Sequence, residues 1–95
     1  MHRIRLGVPW NFIPPDRRSR RFGKPTNIDA SETVWLTLAG GTEVVRVEWN
    51  GEHLATFETP SFEVEVTRLL LPRNEIVVVA RTWEGDVALE IRPAQ

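Results

Sequence analysis

Val45-Arg46-Val47-Glu48-Trp49-Asn50-Gly51-Glu52-His53-Leu54 decides the fold. Val45, Val47 and Trp49 alternate with Arg46 and Glu48, the period-two pattern of a strand with one apolar face. Asn-Gly then supplies the two positive φ angles that a two-residue type I′ turn needs. The return strand runs from Glu52 to Glu58. A two-residue turn sets Val47 opposite Leu54, both pointing inward. It sets Glu48 opposite His53, both pointing out, as a surface pair worth only tenths of a kcal/mol.

The same period extends both ways. Upstream, Val34, Leu36 and Leu38 alternate with Thr33, Trp35 and Thr37, and Gly40-Gly41 turns the chain. Downstream come Phe62-Glu63-Val64-Glu65-Val66, a turn at Pro72-Arg73-Asn74, and a valine-rich stretch from Glu75 to Thr82 that reads as a central strand. Glu84-Gly85-Asp86 turns into Val87, Leu89 and Ile91. At the front, Ile4, Leu6 and Val8 alternate with Arg3, Arg5 and Gly7. No window carries a helical period over ten residues. Seven or eight short strands with turn signals between them make an all-β sandwich or barrel. The expected core is Leu36, Leu38, Val45, Val47, Leu54, Phe62, Val64, Val66, Ile76, Val78, Leu89 and Ile91, with Phe62 its most telling member.

Ninety-five residues make one domain, 1–95, with one core. Residues 9–31 break the pattern. They hold Pro9, Pro14, Pro15 and Pro25 and the run Arg17-Arg18-Ser19-Arg20-Arg21. Proline removes main-chain donors, so this stretch reads as a long, mobile Pro/Arg-rich loop, with at most a brief edge strand from Arg20 to Lys24. Charge divides at the same place. Residues 1–31 carry seven Lys/Arg against two Asp, and residues 32–95 carry five Arg against eleven Asp/Glu. A basic front and an acidic body attract each other, within one chain or between two.

There is no cysteine, so no disulfide and no thiolate chemistry. The chain as read has no apolar run of signal or membrane length. The expectation is a cytoplasmic, non-membrane protein, with location unknown if the chain is cut from a longer precursor. Three serines (Ser19, Ser31, Ser61) and two histidines (His2, His53) show no nucleophile elbow. Glu48, Glu63 and Glu65 alternate with apolar residues, as a solvated sheet face does, and do not read as a glycosidase pair. Asp86 beside Glu84 is turn chemistry before it is a calcium site. The expectation is no enzyme, no cofactor and no metal.

Arg21-Phe22, Val34-Trp35-Leu36, Gly40, Val45 to Trp49, Asn50-Gly51, Leu54, Phe62 to Val66, Leu69-Leu70, Asn74 and Ile76 to Ala80 follow one another in a known order. From Arg20 to Ile91 the chain resembles the jelly-roll domain at the front of glycoside hydrolase family two, a galactose-binding-like sandwich. The sequence departs from that pattern at Ala55 and Arg73, where glycine is common. The resemblance implies an antiparallel jelly-roll β-sandwich with galactose-binding-domain-like topology. It implies a non-catalytic carbohydrate-binding or accessory module, since the family's catalytic barrel is absent from these residues.

Four tryptophans suit sugar stacking, though tryptophan also covers core edges. Trp49 reads as core. Trp10 and Trp83 are the candidate stacking residues, with Asn11, Arg81 and Asp86 as polar partners. The alternative is a structural or protein-interaction domain that uses the basic loop or the outward Trp35 face. Arg17, Arg18, Arg20 and Arg21 are candidate anion or partner contacts. The sequence pI of about 6.1 argues against nucleic acid.

Overall fold

The computed structural model describes residues 2–7, 9–40, 43–81, 83 and 85–94. Among them are nine strands: β1 (His2–Arg5), β2 (Asn11–Ile13), β3 (Arg17–Gly23), β4 (Glu32–Ala39), β5 (Val45–Trp49), β6 (Glu52–Phe57), β7 (Ser61–Glu65), β8 (Arg73–Val79) and β9 (Asp86–Pro93). One 3-10 turn, Thr67–Leu69, sits between β7 and β8. The protein is all-β, a sandwich of two antiparallel sheets. One runs β1-β9-β4-β7 and the other β2-β3-β8-β5-β6. No helix among the described residues is long and apolar enough to cross a membrane.

The core follows strand parity. Val34, Leu36, Val45, Val47, Val66, Ile76 and Val78 have no exposed surface, and Leu38, Leu89 and Ile91 are buried with them. Leu54, Phe62 and Val64 pack against this cluster half-buried. Phe62 is therefore not the centre of the core. It lies at the sandwich margin with its ring stacked on Phe57, centroids 4.6 Å apart. Leu6, Trp49, Phe57, Ala80, Trp83 and Val87 also belong to the cluster. Trp49 is buried, as expected.

Asn50 and Gly51 both have positive φ, 51° and 86°, so the Asn-Gly hairpin forms as its sequence demands. Glu48 stands opposite His53, but Val47 stands opposite Ala55, because a bulge shifts the register between Val47 and Glu48. The extra residue is accommodated in β6 and sets Leu54 at the core margin. Glu48 and His53 do not pair with each other. Glu48 accepts from Arg17 and Arg46, and His53 Nε2 lies 2.9 Å from Thr56 Oγ1.

The chief correction concerns residues 9–31. They are not one long loop. β2 and β3 form a hairpin, and β3 pairs with β8 over seven residues, from Arg17↔Val79 to Gly23↔Arg73. The prolines flank these strands without interrupting them. Ser19 is buried opposite Val77. Arginine tolerates such a strand where its long apolar stem lies along the sheet and its head reaches solvent or a carboxylate; Arg18 departs from this, with Nη1 buried and no hydrogen-bond partner among the described residues. The carboxylates are present: Arg17 pairs with Glu48 at 3.2 Å and Arg21 with Glu75 at 3.3 Å.

Hydrogen exchange tests this part of the fold. Laddered amides of β3 should exchange at rates comparable to those of β8, and residues 24–30 should exchange faster. Uniformly fast exchange across Arg17 to Gly23 would restore the loop.

Candidate functional site

The four indoles are all engaged within the chain. Trp10 is half-buried against the core and donates its ring N–H to the Leu6 carbonyl at 3.0 Å. Trp49 donates to the Leu69 carbonyl at 3.1 Å and meets Phe22 edge-on, centroids 5.5 Å apart. Trp83 is 5% exposed and belongs to the core. Its expected role as a surface stacking residue is overturned: the chain between β8 and β9 folds back, and Gly85 comes so close to Ala39 and the Trp83 ring that a Cβ there would overlap the Ala39 carbonyl. No periodic signal marks this burial, because Trp83 lies outside any strand.

Trp35 points outward, as its parity demands, but its face is not free. The Arg92 guanidinium lies over the ring, 4.7 Å from its centroid. Arg92 in turn donates to Glu63 at 2.7 Å and to Glu90 at 2.7 Å, and Arg3 bonds Glu90 from the other side at 3.1 Å. A chain of alternating charge thus joins β1, β9 and β7 across the indole on β4.

The other candidates do not converge. Asp86 is tied to Arg5 at 2.8 Å. Arg81 is exposed and Asn11 is exposed on β2. Of Trp10, Asn11, Arg81, Trp83 and Asp86, Asn11 lines a described cleft, together with Pro9, Ser19, Arg20, Arg21 and Glu75. The calcium alternative rested partly on Glu84, which lies outside the described residues. No group of three or more His, Cys, Asp or Glu among the described residues is placed to hold a metal.

The arginine run divides by strand parity. Arg18 and Arg20 share a side with Ile76 and Val78, and Arg17 and Arg21 share the outer side with Val77 and Glu75. Arg18 lies over Phe12, 5.5 Å from its centroid. Arg20 donates to the Gly7 carbonyl at 2.8 Å and to the Arg21 carbonyl. Arg21 stays largely exposed. Arg17 and Arg21 pair with carboxylates, while Arg18 and Arg20 have none among the described residues, so the run is split between two faces and is not a single cationic patch.

A cleft of about 440 Å³ opens where β3 ends and β8 begins, lined by Arg21, Phe22, Asn50, Arg73, Asn74 and Glu75. Two asparagines fix its wall. Asn50 donates its main-chain N–H to the Glu75 carbonyl and accepts the Glu75 N–H on its side-chain oxygen, both at 2.8 Å. Its amide nitrogen donates to Asn74 Oδ1 at 3.1 Å. Asn74 is buried; it accepts the Leu71 N–H at 2.9 Å and donates to the Leu71 carbonyl at 2.8 Å. Sequence reasoning singled out Asn50, Asn74 and Arg21-Phe22 as pattern residues but did not bring them together. The signal was present: an Asn-Gly turn and a second asparagine just after a proline turn.

Titration of Glu63 offers a test of the Trp35 face. Hydrogen bonds from Arg92 hold the Glu63 carboxyl below its ordinary value. Desolvation opposes them slightly, and the Arg92 charge adds to them. A carboxylate depressed in the folded state stabilises it fully above the unfolded value of about 4.3. That contribution fades as pH falls through the folded value. In Arg92→Gln the Glu63 carboxyl, followed by NMR, should return upward to the ordinary range. An unchanged titration would show that the ion pair does not form in solution.

No family model matches this chain, and no curated protein matches it. Solved structures do. The FMN-binding β-glucuronidase from Facaelibacterium prausnitzii L2-6 is similar to 77% of this chain at a TM-score of 0.59 and 16% identity. The chain spans about 15% of the length of that protein. The similarity establishes a shared all-β sandwich-like fold with one part of a glycosidase chain.

Proposed function

We propose that this chain is a non-catalytic accessory module of the jelly-roll, galactose-binding-like type, serving as a packed structural domain. Strand order supports the jelly-roll assignment. With the short β2 set aside, the remaining eight strands run first-eighth-third-sixth in one sheet and second-seventh-fourth-fifth in the other. That is the double Greek key order of a jelly roll. Similarity to part of a β-glucuronidase supports the galactose-binding-like reading and an origin among carbohydrate-active proteins. Fold alone carries no activity over.

One observation favours scaffold over sugar-stacking: the engagement of all four indoles. Trp49 and Trp83 are core, Trp10 covers the core edge, and Trp35 is roofed by Arg92. A stacking platform needs an open aromatic face beside polar groups, and these rings serve packing instead. The absence of a nucleophile elbow from the sequence supports the non-catalytic part. So does the position of Ser19, buried in β3, and of His53, turned to Thr56.

Tryptophan fluorescence tests this directly. Titration with a panel of neutral oligosaccharides should leave the emission unchanged, and chromogenic β-glycosides should not be hydrolysed. A saturable quench that Trp10→Ala removes would establish sugar stacking and overturn the scaffold role.

A further inference from the structure

We propose that the cleft between the end of β3 and the start of β8 binds a carboxylate carried on a ring-shaped body. The cleft lies at the ends of two inner strands, β3 and β8. Arg21 and Arg73, on the outer parity, and Phe22, on the inner parity, therefore line one space. Its volume of about 440 Å³ lies within the roughly 300–1,000 Å³ range of small-ligand sites.

The donors are available. Arg21 spends its Nε on Glu75 at 3.3 Å, and its terminal nitrogens make no hydrogen bond among the described residues. That contact joins side chains 88% and 40% exposed, so water competes for it. The Arg73 guanidinium makes no hydrogen bond or ion pair among the described residues. Planar guanidinium forks match a carboxylate with two parallel hydrogen bonds. Asn50 and Asn74 are consumed by their own network and form the wall.

Charge selects the ligand class. Two guanidinium groups and the Glu75 carboxylate leave one net positive charge at the rim. That suits a monoanion better than a phosphate dianion. Phe22 adds an apolar surface for the body of the ligand, and its ring is fixed by Trp49 behind it. The rim is also preorganised, because the Asn50 bonds hold the Glu75 backbone.

Gly23 gives the proposal a steric handle. It stands opposite Arg73, on the same face as Arg21. Its φ is not positive, and an added Cβ would meet only the Pro72 carbonyl at 3.8 Å. A larger side chain there projects on the face that carries both arginines without straining the strand.

The experiment is an NMR titration of the arginine Nε–Hε signals in the full chain. Benzoate and galacturonate supply the carboxylate on an aromatic and a sugar ring; benzyl alcohol, galactose and inorganic phosphate are the controls. At least one carboxylate should shift the Arg21 and Arg73 signals saturably, and which of the two does so identifies the source. Arg73→Gln should weaken that binding about tenfold or more, and Gly23→Leu should abolish it, with thermal midpoints close to wild type. No saturation with either carboxylate overturns the proposal. So does an equal response to the neutral partner or to phosphate, or unchanged binding in Arg73→Gln. The scaffold test uses neutral oligosaccharides, which carry no carboxylate for these arginines, so failure here and failure of the scaffold role are read separately.

Discussion

The bond between Asn50 and Asn74 is the constraint on which the larger sheet depends. Asn50 sits in the left-handed region at the tip of the β5–β6 hairpin, where asparagine is tolerated because its short side chain can bond locally. It uses main chain and side chain together to grip Glu75, and its amide reaches Asn74. Asn74 closes the turn that carries the chain from the 3-10 segment into β8. The hairpin tip and the start of β8 are thus one polar knot. It holds the register Trp49↔Ile76 and Val47↔Val78, and through β8 the register of β3. A slip of one residue would turn Ile76 and Val78 outward. The same knot aims Arg73 and Glu75 at the cleft.

Charge completes the sandwich without dominating it. The basic front and acidic body meet within the chain. Arg3 pairs with Glu90, Arg5 with Asp86, Arg17 with Glu48, and Arg21 with Glu75. Each pair is wholly or partly solvent-exposed and individually worth little. Their placement still matters. They fasten β1 to β9, and β3 to β5 and β8, which allows a run of arginines to lie in a sheet. Arg92 extends the Arg3–Glu90 pair, spanning Glu63, Glu90 and Trp35.

Strands with one apolar parity were legible because period two sends a whole parity to one side. β4, β5, β7, β8 and β9 come directly from their alternation, and the hairpin from Asn50-Gly51. What stayed hidden depends on partners far along the chain. β3 has apolar support only from Phe22, so its strand character comes from pairing with β8, and the prolines around it look like loop. Trp83 lies outside the strands with no period, and it is buried by tertiary packing into the core, beside the close approach of Gly85 to Ala39. Trp35 was correctly placed outward, yet its cover by Arg92 joins residues on different strands with no local sign. The candidate cleft likewise combines β3, the hairpin tip and β8, three segments that local patterning treats separately.

The central claim, that the Asn50–Asn74 knot fixes the five-stranded sheet, is tested by a double-mutant cycle. Asn50→Gly removes the side chain while keeping the positive φ accessible. Asn74→Ala leaves the Leu71 main-chain groups without their partner, at a cost of about 2–4 kcal/mol. Urea denaturation of the two single variants and the double should give a coupling of about 1–2 kcal/mol. Effects that add within about 0.3 kcal/mol would mean that the two asparagines act independently, and the knot would not be what holds the sheet in register.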